Sequence, residues 1–132
     1  METSRLAAIP LFAGLDEADL AEVADSASEV EASAGQTVAS EHDFGHALYA
    51  IESGTAEVSA DGSKLGTLGP GDVFGEIAVV SSGRRTASVI ATSHMRLIVL
   101  FKRDVWALER RCPEAAERLH ALVTEHRANT TA

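Results

Sequence analysis

The stretch Phe74-Gly75-Glu76-Ile77-Ala78-Val79-Val80-Ser81-Ser82-Gly83-Arg84-Arg85-Thr86-Ala87-Ser88-Val89 decides how this chain is read. Gly75 has no Cβ, so the backbone can turn tightly there and approach a ligand closely. Glu76 to Val80 can start a short helix, whose first N–H groups lack partners inside the helix and point at any anion. Nine residues past the Glu76 carboxylate stands Arg85, whose planar fork grips a phosphate at two points. One cation, several amides and one carboxylate together suit a small ligand with a single phosphate charge and a free hydroxyl.

Outward from this segment the pattern is that of a sheet. Between about Val30 and Leu100, short apolar runs are punctuated by Gly, Pro, Asp and Ser. Val38, Leu48 to Ile51, Ala56 to Val58, Leu65, Ala87 to Ile90 and Leu97 to Leu100 read as strand cores. Asp61-Gly62 is a hairpin signal between two of them. Strands this short and this closely spaced predict a mainly β fold, a jelly-roll-like β-roll, with flanking helices. The Phe74–Val89 segment interrupts that roll with helix-starting character, and such local conflicts mark functional sites.

The front and back of the chain read as helical. Asp16 suits the N-cap of a helix over Glu17 to Ser26, with Asp19 as the capping-box acid and Leu20, Val23, Ala24 and Ala27 on one face. Arg103 to Arg110, carrying Val105, Trp106 and Leu108, predicts a first C-terminal helix. Pro113 suits the first turn of a second, with Glu114 and Glu117 at its positive end. Leu119, Leu122, Val123 and His126 recur at helical spacing and share its apolar face. Residues 129–132, with Ala128, read as a polar, frayed tail.

The segment resembles the phosphate-binding cassette of the cyclic-nucleotide-binding domain family, which includes catabolite activator proteins, protein kinase A regulatory subunits and cyclic-nucleotide-gated channels. The family pattern runs Phe-Gly-Glu-Leu/Ile-Ala-Leu, a few variable residues, then Pro-Arg-Ala/Thr-Ala-Thr/Ser-Val. Phe74, Gly75, Glu76, Ile77, Ala78, Arg85, Thr86, Ala87, Ser88 and Val89 match it. Arg84 stands where many members have proline, a form most similar to the gated-channel branch. Ile9 to Leu15, Val38 to Val58 and Leu65 to Val73 resemble the family's opening, central hairpin and approach to the cassette. His42, where glycine is usual, departs from it and leaves the shape of that early loop in question.

The resemblance implies a stand-alone sensor that binds cAMP or cGMP, needs no cofactor or metal, and is not an enzyme. In it Arg85 clamps the phosphate, with Arg84 beside it and cassette amides, Ala78 and Ala87 first among them, completing the anion site. Glu76 accepts the ribose 2′-hydroxyl, helped by the Gly75 amide. Val73 and Val89 are implied as walls for the base, while Thr86 and Ser88 border the phosphate and the base edge. Thr86 leaves cGMP open; the Ala-rich composition leans towards cAMP. The last helix is implied as a lid, bringing Leu122, Val123 and His126 over the base. The same apolar stripe also fits a dimer seam, and His126 also fits a histidine capping the end of a surface helix.

At 132 residues the chain reads as one domain: a helical segment over 1–27, the β-roll over 28–101 with its cassette at 74–89, and C-terminal helices over 102–128. An apolar content of 45% argues for an ordered globule. A net charge of −9 argues against nucleic acid or anionic membrane as partners, since both demand a basic face. That leaves the output to an effector protein or a homodimer. The single cysteine, Cys112, excludes an internal disulfide and points to a reducing interior. No signal-peptide pattern follows Met1, so a cytoplasmic location is expected, and the Met1 start and polar tail fit a complete chain.

Three other readings compete. A cupin-like metalloenzyme is suggested by His42 and His46, but its His-x-His element is missing. A transcription factor would need a DNA-binding module after the last helix. A degenerate roll serving only as an interaction module has no need of Gly75, Glu76 and Arg85 together. Cys112 and Ser93-His94 form no nucleophile–base set.

Overall fold

A computed structural model of the chain describes residues 1–39, 47–75 and 87–131, with side chains as far as residue 125. Its elements are α1 (Thr3–Ala7), a 3₁₀ turn (Pro10–Phe12), α2 (Glu17–Ser26), eight strands, α3 (Lys102–Arg111) and α4 (Pro113–Thr131). The strands are β1 (Ser28–Ala32), β2 (Thr37–Ala39), β3 (Ala47–Ser53), β4 (Ala56–Ala60), β5 (Ser63–Leu68), β6 (Val73–Phe74), β7 (Ser88–Ala91) and β8 (Met95–Phe101). They form two antiparallel four-stranded sheets, ordered β1-β8-β3-β6 and β2-β7-β4-β5. The expected β-roll with flanking helices is the fold observed.

The strands β8, β3 and β6 of the first sheet are largely buried on both faces, which explains their continuous apolar runs. Along β8, Leu97 faces the second sheet, in one cluster with Ile51, Phe74, Val89 and Met95. Ile98 and Leu100 face the opposite way, in a cluster with Leu6, Phe12, Leu20, Val105 and Leu119 from the helices. β3 and β6 alternate in step: Leu48, Ala50 and Val73 lie on the helix side, Ile51 and Phe74 on the roll side. Each fully buried Leu, Ile or Phe contributes about 1.5–3 kcal/mol relative to exposure. The helices therefore seal one sheet while the other sheet closes the roll.

Local signals act where expected. Asp16 caps α2 by accepting from the Asp19 N–H at 2.8 Å. Asp61 and Gly62 take φ of +51° and +77° between β4 and β5, the left-handed pair that a tight hairpin requires. The capping box itself is only half formed. The Asp19 carboxylate accepts from Arg111 Nη2 at 3.1 Å and from Cys112 Sγ at 3.2 Å instead of reaching back to the N-cap. A charged long-range partner outcompetes a neutral local amide. α4 also runs to Thr131, beyond Ala128, because that tail contains neither Gly nor Pro to stop it.

Candidate functional site

The approach to the cassette is built by a turn at Gly69 to Asp72. The Asp72 carboxylate accepts from the Gly69 N–H at 2.8 Å, and the Asp72 N–H donates to the Gly69 carbonyl at 3.1 Å. β3 clamps the same turn: Ile51 N–H donates to the Asp72 carbonyl at 2.9 Å, and Gly71 N–H to the Ile51 carbonyl at 2.8 Å. β6 then pairs with β3, with Val73 opposite Ala50 and Phe74 opposite Tyr49. The Tyr49 and Phe74 rings stack at 5.0 Å and 10°, a contact that adds about 0.5–1.5 kcal/mol to their burial. Gly75 follows at φ +85°. Only glycine adopts that backbone without strain, so the sharp exit from β6 depends on it.

The chain leaves the first sheet at Gly75 and is next described at Ala87, half-buried just before β7 of the second sheet. β7 is anchored on both sides, with Val89 opposite Val58 of β4 and Ala39 of β2. The two flanks of the cassette thus belong to different sheets. Phe74 and Val89 meet in the cluster between those sheets, and Ser88 lies half-buried beside them. Val73 belongs to the helix-side cluster, and so does half-buried Leu122 of α4. Val123 is buried. Glu76, Ile77, Ala78, Arg84, Arg85 and Thr86, with His42 and His46 of the metal alternative, lie outside the described residues, as does the side chain of His126. Among the described residues, no group of three His, Cys, Asp or Glu could hold a metal ion.

Two features that sequence reasoning missed fix the surroundings of this site. Arg5 of α1 donates through Nε and Nη2 to the two oxygens of Glu52 on β3, at 2.6 Å each, and also pairs with Glu29 of β1. These bonds hold the Glu52 carboxyl below its ordinary range and raise Arg5 above its own. Arg118 of α4 donates to the backbone carbonyls of Leu11, at 3.2 Å, and of Ala13. α4 is therefore fastened to the 3₁₀ turn, and the 3₁₀ turn abuts Gly71 through Pro10. Partners this distant in sequence leave no local pattern to read.

The family model of the cyclic nucleotide-binding domain matches residues 29–112, which includes both flanks of the cassette. The chain belongs to the cyclic nucleotide-binding domain family. This cyclic nucleotide-binding domain is 36% identical over 94 residues to the cyclic AMP receptor protein of Thermus thermophilus, covering 67% of this chain and 44% of that one. It is 35% identical over 100 residues to a cAMP-dependent protein kinase regulatory subunit of Yarrowia lipolytica, covering 76% of this chain and 24% of the relative. The crystal structure of the Thermus thermophilus catabolite activator protein superposes with a TM-score of 0.79 at 31% identity, over 92% of this chain and 60% of the other. The chain thus spans less than half the length of either curated relative. Among the described residues, no helix of this cyclic nucleotide-binding domain is long and apolar enough to cross a membrane.

Proposed function

We propose that this domain is a sensor that takes cAMP in preference to cGMP and signals by movement of α4. The observation that carries the reading is the Phe74–Val89 sequence, whose described flanks belong to different sheets and whose entry, Gly75, takes a positive φ. In this reading Arg85 clamps the cyclic phosphate, with Arg84 adding positive potential and the Ala78 and Ala87 amides completing the anion site. Glu76 and the Gly75 amide hold the ribose hydroxyl. Phe74, Ile77, Val89 and the borders Thr86 and Ser88 surround the ligand, with Val73 supporting the wall from the helix side. Val123 and His126 close over the base, and Leu122 anchors that end of α4.

Both relatives described above are named for cyclic AMP, which supports the base preference. The output is a population shift between lid positions of α4, limited by the ligand's differential affinity for them. Its receiver is an effector protein or a second copy of the chain, and no nucleic acid, membrane or catalytic step enters the reading. The domain is placed in the cytoplasm and acts as one unit over residues 1–132.

Calorimetric titration with cAMP and with cGMP, alongside Arg85→Ala, tests this. Saturable binding, tighter for cAMP and weakened in the variant, is expected. No heat with either nucleotide would leave the roll as a protein-interaction module without ligand.

A further inference from the structure

The outward face of α3 is unlike the rest of this acidic chain. Four of its eleven Lys and Arg residues, Lys102, Arg103, Arg110 and Arg111, fall within this one helix. Arg111 is spent on Asp19 and Glu22 of α2. The other three surround Trp106 at positions −4, −3 and +4, on one side of the helix. The indole is 39% exposed, with Lys102 Nζ 5.7 Å from its ring centre, and Phe101 at the helix start is 50% exposed. Arg103 and Arg110 are exposed and ion-paired to no described residue. Of the helix's own carboxylates, Glu109 is largely covered and lies 3.7 Å from His120 Nε2, and Asp104 lines a small cavity beside Asp19 and Arg111.

We propose that this face of α3 docks an acidic segment of a second protein, one carrying an apolar side chain for Trp106 and Phe101. Exposed aromatics ringed by arginines are the composition of interface anchors. Charge decides among occupants. Two copies joined face to face would set Arg103 and Arg110 against their own counterparts, a repulsive arrangement. An anionic membrane or a nucleic acid would attract this face but repel a body of net charge −9. A short acidic segment engages the local field without meeting the rest of the surface.

Trp106 is the sole tryptophan, so intrinsic emission reports on this surface alone. The probe is a short synthetic peptide of glutamates and aspartates interrupted by leucines, with its glutamine and asparagine counterpart as control. The acidic peptide should give a saturable blue shift that weakens with added salt. Arg103→Gln with Arg110→Gln should weaken it about ten-fold or more, whereas Lys64→Gln should not. The surface positions and unchanged circular dichroism guard against misfolding. A missing shift, an equal response to the neutral peptide, or full retention in the double variant would each overturn the proposal. So would a shift produced by phosphatidylserine vesicles or duplex DNA but not by the peptide.

Discussion

The two faces of the first sheet have been filled in different ways. On the helix side, Leu6, Ile9, Leu11, Phe12, Leu20, Leu100 and Leu119 pack as large side chains with almost no exposure. Inside the roll, Ala32, Ala39, Ala56 and Ala91 are interspersed with Ile51, Phe74, Val89, Met95 and Leu97, and Val38, Tyr49, Val58 and Leu68 are only partly covered. Large, closed packing supplies stability, whereas small side chains and partly covered neighbours leave the roll less tightly sealed. The difference fits the proposed reading, in which stability rests on the helix face of the sheet and ligand binding on the roll.

The sharpest way to break that division is to damage each face separately. Phe12→Ala, at a fully buried position, should cost about 3–5 kcal/mol in thermal or chemical unfolding. Arg85→Ala should leave unfolding of the unliganded protein unchanged while lowering nucleotide affinity by roughly ten- to more than a hundred-fold. If Arg85→Ala also lowered the melting temperature of the free protein, the two faces would not be separable. Asp16→Ala removes the α2 cap and should cost about 1 kcal/mol, again with no change in affinity.

Titration refines the comparison further. Glu52 sits lower when folded because Arg5 bonds its charged form. That contribution is complete above the unfolded carboxylate value and is lost as pH falls through the folded one. Acid unfolding of wild type should therefore be steeper than that of Glu52→Gln, at pH below about 4. Cys112 behaves oppositely: burial first, then the Asp19 bond, push its thiol up to about 11. Thiol-reagent labelling near pH 9, its ordinary value, should be slow in native protein and rapid after Phe12→Ala.

What could be read in the chain was whatever its own neighbourhood dictates. The α2 cap at Asp16, the Asp61-Gly62 turn, the Leu97–Leu100 run and the spacing of Leu119 and Val123 all carry local physics. α1 is five residues long and too short to show a period; its place depends on Glu52, far along the chain. β1 reads Ser-Glu-Val-Glu-Ala with only Ala32 buried, so no alternation announces it, and its pairing with β8 makes it a strand. The cassette was legible as chemistry, because residue types and order carry it. Which neighbours face the roll and which face the helices was not, since Val73 and Phe74 divide between the two clusters only once β6 is registered against β3.

The strand order has a consequence for how this chain is made. β8 lies between β1 and β3, yet it is the last strand synthesised. Until Phe101 has emerged from the ribosome, β1 and β3 have no inner neighbour, and Leu48 to Ile51 stay open to solvent and to other nascent chains. Among the described strands the β4–β5 hairpin can close earliest, because its partners adjoin in sequence. Long-range pairing of this kind slows folding and prolongs exposure of sticky intermediates. The first sheet can thus close only late, once β8 enters between β1 and β3 and the helices that follow cover it.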